Sequence, residues 1–141
     1  MQALEFRTYE CQDQKDVIAL WQRAGLTKPH NDPQRDIRFA MEGPSSTILL
    51  GCVTGKIVAA VMVGHDGHRG TVYYLGVDPK AQNAGFGGQM LAKAEDWLRA
   101  RGVWKLNLLI RAGNAQVCDF YRKNGYAVEE RIAMAKVIKT S

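Results

Sequence analysis

The stretch YYLGVDPKAQNAGFGGQML, Tyr73 to Leu91, constrains this chain more than any other. An apolar, aromatic run stops at Pro79, and a polar patch follows. Gly85, Gly87 and Gly88 then open a segment whose apolar residues recur at helical spacing. A helix leaving a strand through a tight loop turns its first backbone N–H groups toward that loop. Glycines there remove side chains, so the N–H groups can face a phosphate, and the positive end of the helix dipole adds to the attraction. The spacing excludes two common phosphate cradles. There is no GxxxxGK[ST], and GFGGQM lacks the last glycine of GxGxxG. A simple turn is the competing reading of the same glycines.

The flanking sequence alternates between the two periodicities. ALEFRTY reads as a strand, and Asp13 caps a helix bearing Val17, Ile18, Leu20, Trp21 and Ala24 and stopped at Gly25. Asp32 as cap, Pro33 at the first helical position and Gly43 as terminator mark a second helix. STILLGCV and KIVAAVMVGH are strands joined at Thr54-Gly55. His65-Asp66-Gly67-His68 belongs to the next turn and is read as a hairpin signal, not a metal site. TVYYLGVD is followed by a helix from Phe86 to Arg101 that stops at Gly102. Then come a strand, VWKLNLLI, a helix from Ala115 to Asn124 capped by Asn114, and a terminal strand, YAVEERIAMAKVI. The three tryptophans read as packing. The expected order is β-α-α-β-β-β-α-β-α-β, an α/β (α+β) chain with a mixed sheet flanked by four helices.

A chain of 141 residues is expected to form one domain, residues 1–141, with a sizeable core. A hydrophobic fraction of 46% with 23% charged residues excludes a disordered chain. No apolar run reaches the length of a membrane span, and the start MQALEFRTYE carries no signal pattern. Cys11, Cys52 and Cys118 are scattered and never spaced as CxxC, which points to reduced thiols in a cytoplasm. The net charge of +5 permits an anionic partner, but the basic residues form no run that would mark a nucleic-acid protein.

Gln82-x-x-Gly85-x-Gly87 after LGVDP resembles the acetyl-CoA signature of the GNAT N-acetyltransferases, R/Q-x-x-G-x-G/A. GNAQVCDFYRKNGY resembles that family's second motif, and the element order agrees along nearly the whole chain. The strings NDP, DGHRG and YYLGV resemble a bacterial branch of little-characterised substrate. The resemblance implies the GNAT fold, with splayed central strands, and acyl transfer from acetyl-CoA to a primary amine in a ternary complex. Backbone N–H groups of Asn83, Ala84, Gly85, Phe86, Gly87 and Gly88, with Gln82, would hold the pyrophosphate. Leu75, Gly76 and Val77 would pair with the pantetheine arm as with an added strand, Gly76 suiting an irregularity there. A backbone N–H of that strand would polarise the thioester carbonyl. Tyr121 would protonate the departing sulfur, a thiol of pKa about 8.5 against about 10 for the phenol. Asn114 would hold the cofactor arm. Read from its helix alone, Tyr121 shares a stripe with Val117 and Phe120 and is a core residue.

A base for the acceptor ammonium is where the chain departs from its relatives. The glutamates of two better-known branches fall at Leu109 and approximately at Thr71, neither of which accepts a proton. Tyr73, His68 and Asp66 are the remaining partners for a water relay. The acceptor pocket implied by the fold uses the first two helices and their loop, here with Asn31 and Asp32, although Asp32 is equally a helix cap. The partner expected is a small-molecule or peptide amine, with no nucleic acid, membrane or metal. The alternative is a non-catalytic acetyl-CoA-binding module. The last segment, AVEERIAMAKVIKT, has no Gly, Pro, Asn or Asp to turn on, so one long final strand is expected in place of a hairpin. Its free edge would suit a homodimer.

Overall fold

Four segments pair into one antiparallel sheet. In the computed structural model, which describes residues 3–139, these are β1 (Glu5–Thr8), β2 (Ser46–Val53), β3 (Lys56–His65) and β4 (Gly70–Val77). β2 and β3 are buried along most of their length, and β1 is mostly exposed. The spatial order is β1-β2-β3-β4, and every neighbouring pair is antiparallel. Thr54 and Gly55, with φ of 48° and 81°, form the two-residue turn whose twist matches its strands. Between β3 and β4, Asp66 Oδ1 accepts the N–H groups of His68 and Arg69 at 2.9 and 2.8 Å, so the His-Asp-Gly-His segment is the expected turn.

The helices are α1 (Gln14–Arg23), α2 (Pro33–Glu42), α3 (Phe86–Arg99) and α4 (Ala115–Lys123). The chain divides into two compact units, residues 1–107 and residues 108–141. Within the first, helices cover both faces of the sheet. Val17, Leu20 and Trp21 of α1 and Ile37 and Ala40 of α2 pack with Ile48, Leu50 and Ala60. The opposite face meets α3: a Cβ at Gly51 would lie 2.8 Å from Met90 Sδ, and one at Gly70 would lie 2.5 Å from Leu98 Cδ1. Consecutive residues Leu50 and Gly51 thus serve opposite layers, as the period of two demands. Among the described residues, no helix is long and apolar enough to cross a membrane.

Three expectations need correction. Asp13 stands at the N-cap of α1, but its side chain makes no capping bond there. Glu10 caps a short 3₁₀ turn, Cys11–Asp13, and Asp13 accepts the Glu10 N–H at 2.8 Å and both terminal nitrogens of Arg7 at 2.8 Å. A buried carboxylate needs a cation more than a helix end needs a cap, and Arg7 on β1 is within reach. Secondly, neither VWKLNLLI nor the final segment forms a strand among the described residues. The parallel part of the sheet is reduced to one bridge, Leu106 to Gly70. Residues 127–139 are exposed, Ile132 by 90% and Met134 by 91%, because a strand pattern is satisfied only by a neighbouring ladder. The free edge expected there is therefore not formed. Thirdly, Trp104 is not packing: it is 77% exposed, with the Arg69 guanidinium 4.5 Å from its ring centroid.

Among the described residues, Asp13 and Asp78 are the two buried carboxylates. The Arg7 hydrogen bonds hold Asp13 below the ordinary 3.8, and the Lys80 N–H, followed by Arg23, does the same for Asp78. A lowered folded value stabilises the fold above the unfolded pKa, and that contribution is lost as pH falls through the folded one. Urea midpoints are expected to hold from pH 7 to 5 and to fall below about pH 4. The Asp13→Asn/Asp78→Asn double variant should start lower at pH 7 and lose less on acidification. An equal acid loss in both proteins would contradict this assignment.

Candidate cofactor-binding site

The site is built on an irregularity in β4. Met62 stands opposite Tyr73 and Ala60 opposite Gly76, so Val61 faces both Tyr74 and Leu75. This is a β-bulge, and Tyr74 occupies the left-handed region at φ 54°, uncommon for a residue with a side chain. The extra residue changes which face the strand presents. Gly70 and Val72 belong to the α3 face, Val72 opposite buried Val63, whereas Gly76 lies under α1. A Cβ at Gly76 would stand 2.8 Å from Leu26 Cδ1 and 3.4 Å from Trp21 Cδ1, so the close approach of this helix requires glycine.

The outer edge of β4 is tied down only at its start. The Gly70 N–H donates to the Lys105 carbonyl, and the Asn107 N–H donates to the Gly70 carbonyl, both at 2.9 Å. Beyond that bridge, no strand among the described residues of this unit pairs with the outer edge. The Asp78 N–H donates inward to Val58 O at 2.8 Å, so strand alternation turns the Val77 N–H outward. An extended chain carrying amides could therefore add here as a further strand.

The loop that follows is held open. Asp78 accepts the Lys80 N–H at 3.0 Å and pairs with Arg23 at 2.9 Å, fixing the 3₁₀ turn Pro79–Ala81 to α1. Gln82 Nε2 donates to the Val77 carbonyl at 3.3 Å, and Asn83 turns the chain at φ 69°. Gly85, at φ 78°, precedes α3, and no side chain caps the helix. The first intrahelical bond is Gln89 N–H to Gly85 O at 3.2 Å, which leaves the N–H groups of Phe86, Gly87 and Gly88 without a helical acceptor. Phe86 is buried and Ala84 half-buried, while Gln82, Asn83 and Gly85 are exposed. A free strand edge running into an uncapped, glycine-lined helix mouth matches a molecule with an extended amide arm and an anionic phosphate end.

Comparison with known proteins names that molecule's usual host. Residues 12–126 match the family model of the acetyltransferase (GNAT) family. This chain belongs to the GNAT family. It is 38% identical over 94% of both chains to an acetyltransferase of Yersinia enterocolitica, and 36% identical over 93% of this chain and 92% of the other to one of Sodalis glossinidius. Its fold resembles AAC(6')-Iy in complex with a CoA bisubstrate analogue, at a TM-score of 0.81 and 13% identity, covering 97% of this chain and 99% of that one. The E. coli ribosomal-protein-S18-alanine N-acetyltransferase superposes with a TM-score of 0.74 at 24% identity, covering 87% and 77%. The GNAT chain is accordingly an acyltransferase.

Of the expected site residues, Leu75, Gly76, Val77 and Gln82 through Gly88 form this one continuous strand–loop–helix. In the second unit, Asn114 Oδ1 caps α4 by accepting the Val117 N–H at 3.3 Å. Tyr121, half-buried on the same helix, meets Phe120 and Tyr126 edge-on at 5.1 and 5.4 Å, and burial raises its phenol above the ordinary value. Asp32 Oδ1 accepts the Gln34 and Arg35 N–H groups at 3.1 and 3.3 Å, which is capping. Asn31 is exposed, and Tyr73 is 58% exposed. Leu109 and Thr71 supply no base.

Sequence reasoning missed a cluster beside the bulge. The Tyr74 ring stacks on Trp21 at 4.2 Å and 19°, and its hydroxyl donates to Asp36 Oδ2 at 2.6 Å. Trp21 is fully buried, yet its Nε1 has no hydrogen-bond acceptor among the described residues. An unsatisfied buried donor costs about 1–3 kcal/mol. The signal available was the pair Tyr73-Tyr74 ahead of a strand glycine, which breaks strict alternation.

The uncapped mouth of α3 generates a test. Gly87→Glu places a carboxylate where an anion would sit, at a half-buried position that tolerates a side chain better than the core does. Calorimetry should show acetyl-CoA binding weakened by about 100-fold or more, with the urea midpoint nearly unchanged. Wild-type affinity in the variant would remove the phosphate role from this loop.

Proposed function

We propose that the chain transfers the acetyl group of acetyl-CoA to a primary amine, a peptide terminus or a small-molecule amine, within a ternary complex. The observation that carries this reading is the continuity of the open β4 edge with the uncapped start of α3 in a GNAT chain. The two compact units are treated as one acetyltransferase domain because the family match runs through both. Bound acetyl-CoA supplies the acyl group as a thioester. The N–H groups of Phe86, Gly87 and Gly88 bind its phosphates, and the outward N–H groups of the β4 segment after the bulge bind the pantetheine arm and polarise the carbonyl. The neutral amine attacks that carbonyl carbon, the carbon–sulfur bond breaks, and Tyr121 donates its phenolic proton to sulfur. The proton lost by the new amide nitrogen goes to water, and water returns one to the Tyr121 phenolate.

Burial makes Tyr121 a weaker acid, but it also keeps the phenol protonated across the whole neutral range. A raised value places the alkaline loss of the proton donor above pH about 10. Amine-stimulated release of CoA thiol is expected to show no descending limb below that pH. Tyr121→Phe should lower kcat by about 10²–10⁴, with acetyl-CoA affinity largely retained. A limb near pH 8, or an unchanged kcat in the variant, would transfer the acid role to another group.

Aminoglycoside and ribosomal-protein acetyltransferases among the structural neighbours support an amine acceptor. A homodimer is supported by the apolar side chains of Ile132, Met134 and Ile138, which stand open to a second copy. Light scattering at micromolar concentration should give twice the chain mass, and a monomer mass would dismiss the dimer.

A further inference from the structure

β4 bonds outward at one end and inward at the other. Gly70 faces outward, its N–H donating to Lys105 O and its carbonyl accepting from the Asn107 N–H, both at 2.9 Å. Asp78, eight residues on, faces inward and donates to Val58 O at 2.8 Å. In a regular strand, residues an even number apart bond on the same side. One extra residue is therefore obligatory between them, and it falls opposite Val61. Alternation from the His65 N–H bond to Ser45 turns Val61 toward β2, so neither Tyr74 nor Leu75 finds an inward partner there. Leu75 and Val77 turn their N–H groups outward, while Gly76 bonds inward opposite Ala60.

The direction of the Leu75 N–H is set one residue earlier, because a planar peptide joins it to Tyr74. Tyr74 holds a left-handed φ of 54°, a conformation that residues with side chains leave unless something retains them. Trp21 stacks on its ring at 4.2 Å, but stacking alone lets a ring slide in its own plane. The hydroxyl stops that slide by donating to Asp36 Oδ2 at 2.6 Å. Asp36 is itself held, since its N–H donates to Asp32 O at 2.9 Å and its neighbour Ile37 is buried in the core. Withdrawal from water, and then the Asp36 hydrogen bond, raise the Tyr74 phenol above its ordinary value, so the donor persists throughout the neutral range.

We propose that Asp36 is a positioning residue for acetyl transfer: through the Tyr74 hydroxyl it latches the bulge in the turn that offers the Leu75 N–H, with that of Val77, to the amide arm of acetyl-CoA. The inference rests on the acetyltransferase reading above. Neither Asp36 nor Tyr74 takes part in bond making. The phosphate end of the site is independent of them, because Asp78 and Arg23 fix the loop before α3 to α1. The strand register is independent too. A Cβ at Gly70 would lie 2.5 Å from Leu98 Cδ1 and one at Gly76 2.8 Å from Leu26 Cδ1, so neither glycine yields its place to a neighbour.

Calorimetry tests this by comparing acetyl-CoA with 3′-phosphoadenosine 5′-diphosphate, its phosphate end without the amide arm. Asp36→Ala and Tyr74→Phe should each weaken acetyl-CoA about tenfold and change the nucleotide by less than about threefold. The double variant should lose no more than either single one, since both remove the same bond. Asp36→Asn, whose amide oxygen still accepts from the hydroxyl, should stay within about threefold of the wild type. Equal losses of both ligands would reduce the pair to a structural contact and overturn the proposal, as would wild-type acetyl-CoA affinity in Asp36→Ala. A second measurement needs no ligand. The Tyr74 ¹³Cα and ¹³Cβ shifts report its φ and should leave their left-handed values in Asp36→Ala but not in Asp36→Asn. Unmoved shifts in Asp36→Ala would overturn the latch. A wild type that binds no acetyl-CoA would sink the acetyltransferase reading, and the ¹³C shifts would still decide the latch.

Discussion

One extra residue in β4 sets the geometry on which the candidate site depends. With a regular ladder, Tyr74 would follow Gly70 and Val72 onto the face covered by α3, and its hydroxyl would not meet Asp36. Opposing Val61 with two residues turns the strand over and carries Tyr74 onto Trp21. It also sets Gly76 close beneath α1. A left-handed φ at a tyrosine costs about 1–2 kcal/mol. The Trp21 stacking and the Asp36 hydrogen bond offset that strain, so packing and strain are parts of one arrangement.

Charge is distributed with the same economy. The arginine-paired carboxylates, Asp13 and Asp78, anchor the turn before α1 and the loop before α3. Asp78 thereby supports the glycine loop from α1, since Arg23 ends that helix. The mouth of α3 carries no side-chain cap, and its first backbone N–H groups lie at the positive end of the helix dipole on a chain of net charge +5.

Features specified within a few consecutive residues were legible before any coordinates. Asp32-Pro33 starts α2 because a carboxylate can reach the N–H groups two and three residues on, and Pro33 lacks a donor that would be orphaned there anyway. Thr54-Gly55 and Asp66-Gly67 turn the chain by local backbone preference and Asx bonding. The segment from Gln82 to Gly88 was recognisable because its chemistry is mostly backbone, and glycine spacing records where backbone must be bare. Where a choice depended on distant partners, the pattern misled. The Asp13 side chain, at the start of α1, bonds Arg7 of β1 instead of the helix, and Trp104 lies under the guanidinium of Arg69, 35 residues away, in water. The alternation of residues 127–139 was read as a strand although those residues form none.

The sequence by itself determined the four helices, the first four strands, the turns between β2, β3 and β4, the glycine-lined helix start and the family, because each is encoded by preferences acting over a short stretch or by a motif of that length. Tertiary structure alone decided the bulge opposite Val61 and the pairing of Tyr74 with Asp36, 38 residues away. It also decided the burial of Trp21 without an acceptor and the reduction of the parallel ladder to one bridge. Those outcomes depend on which distant surfaces meet and on which polar groups find partners when they do. No local preference carries that information.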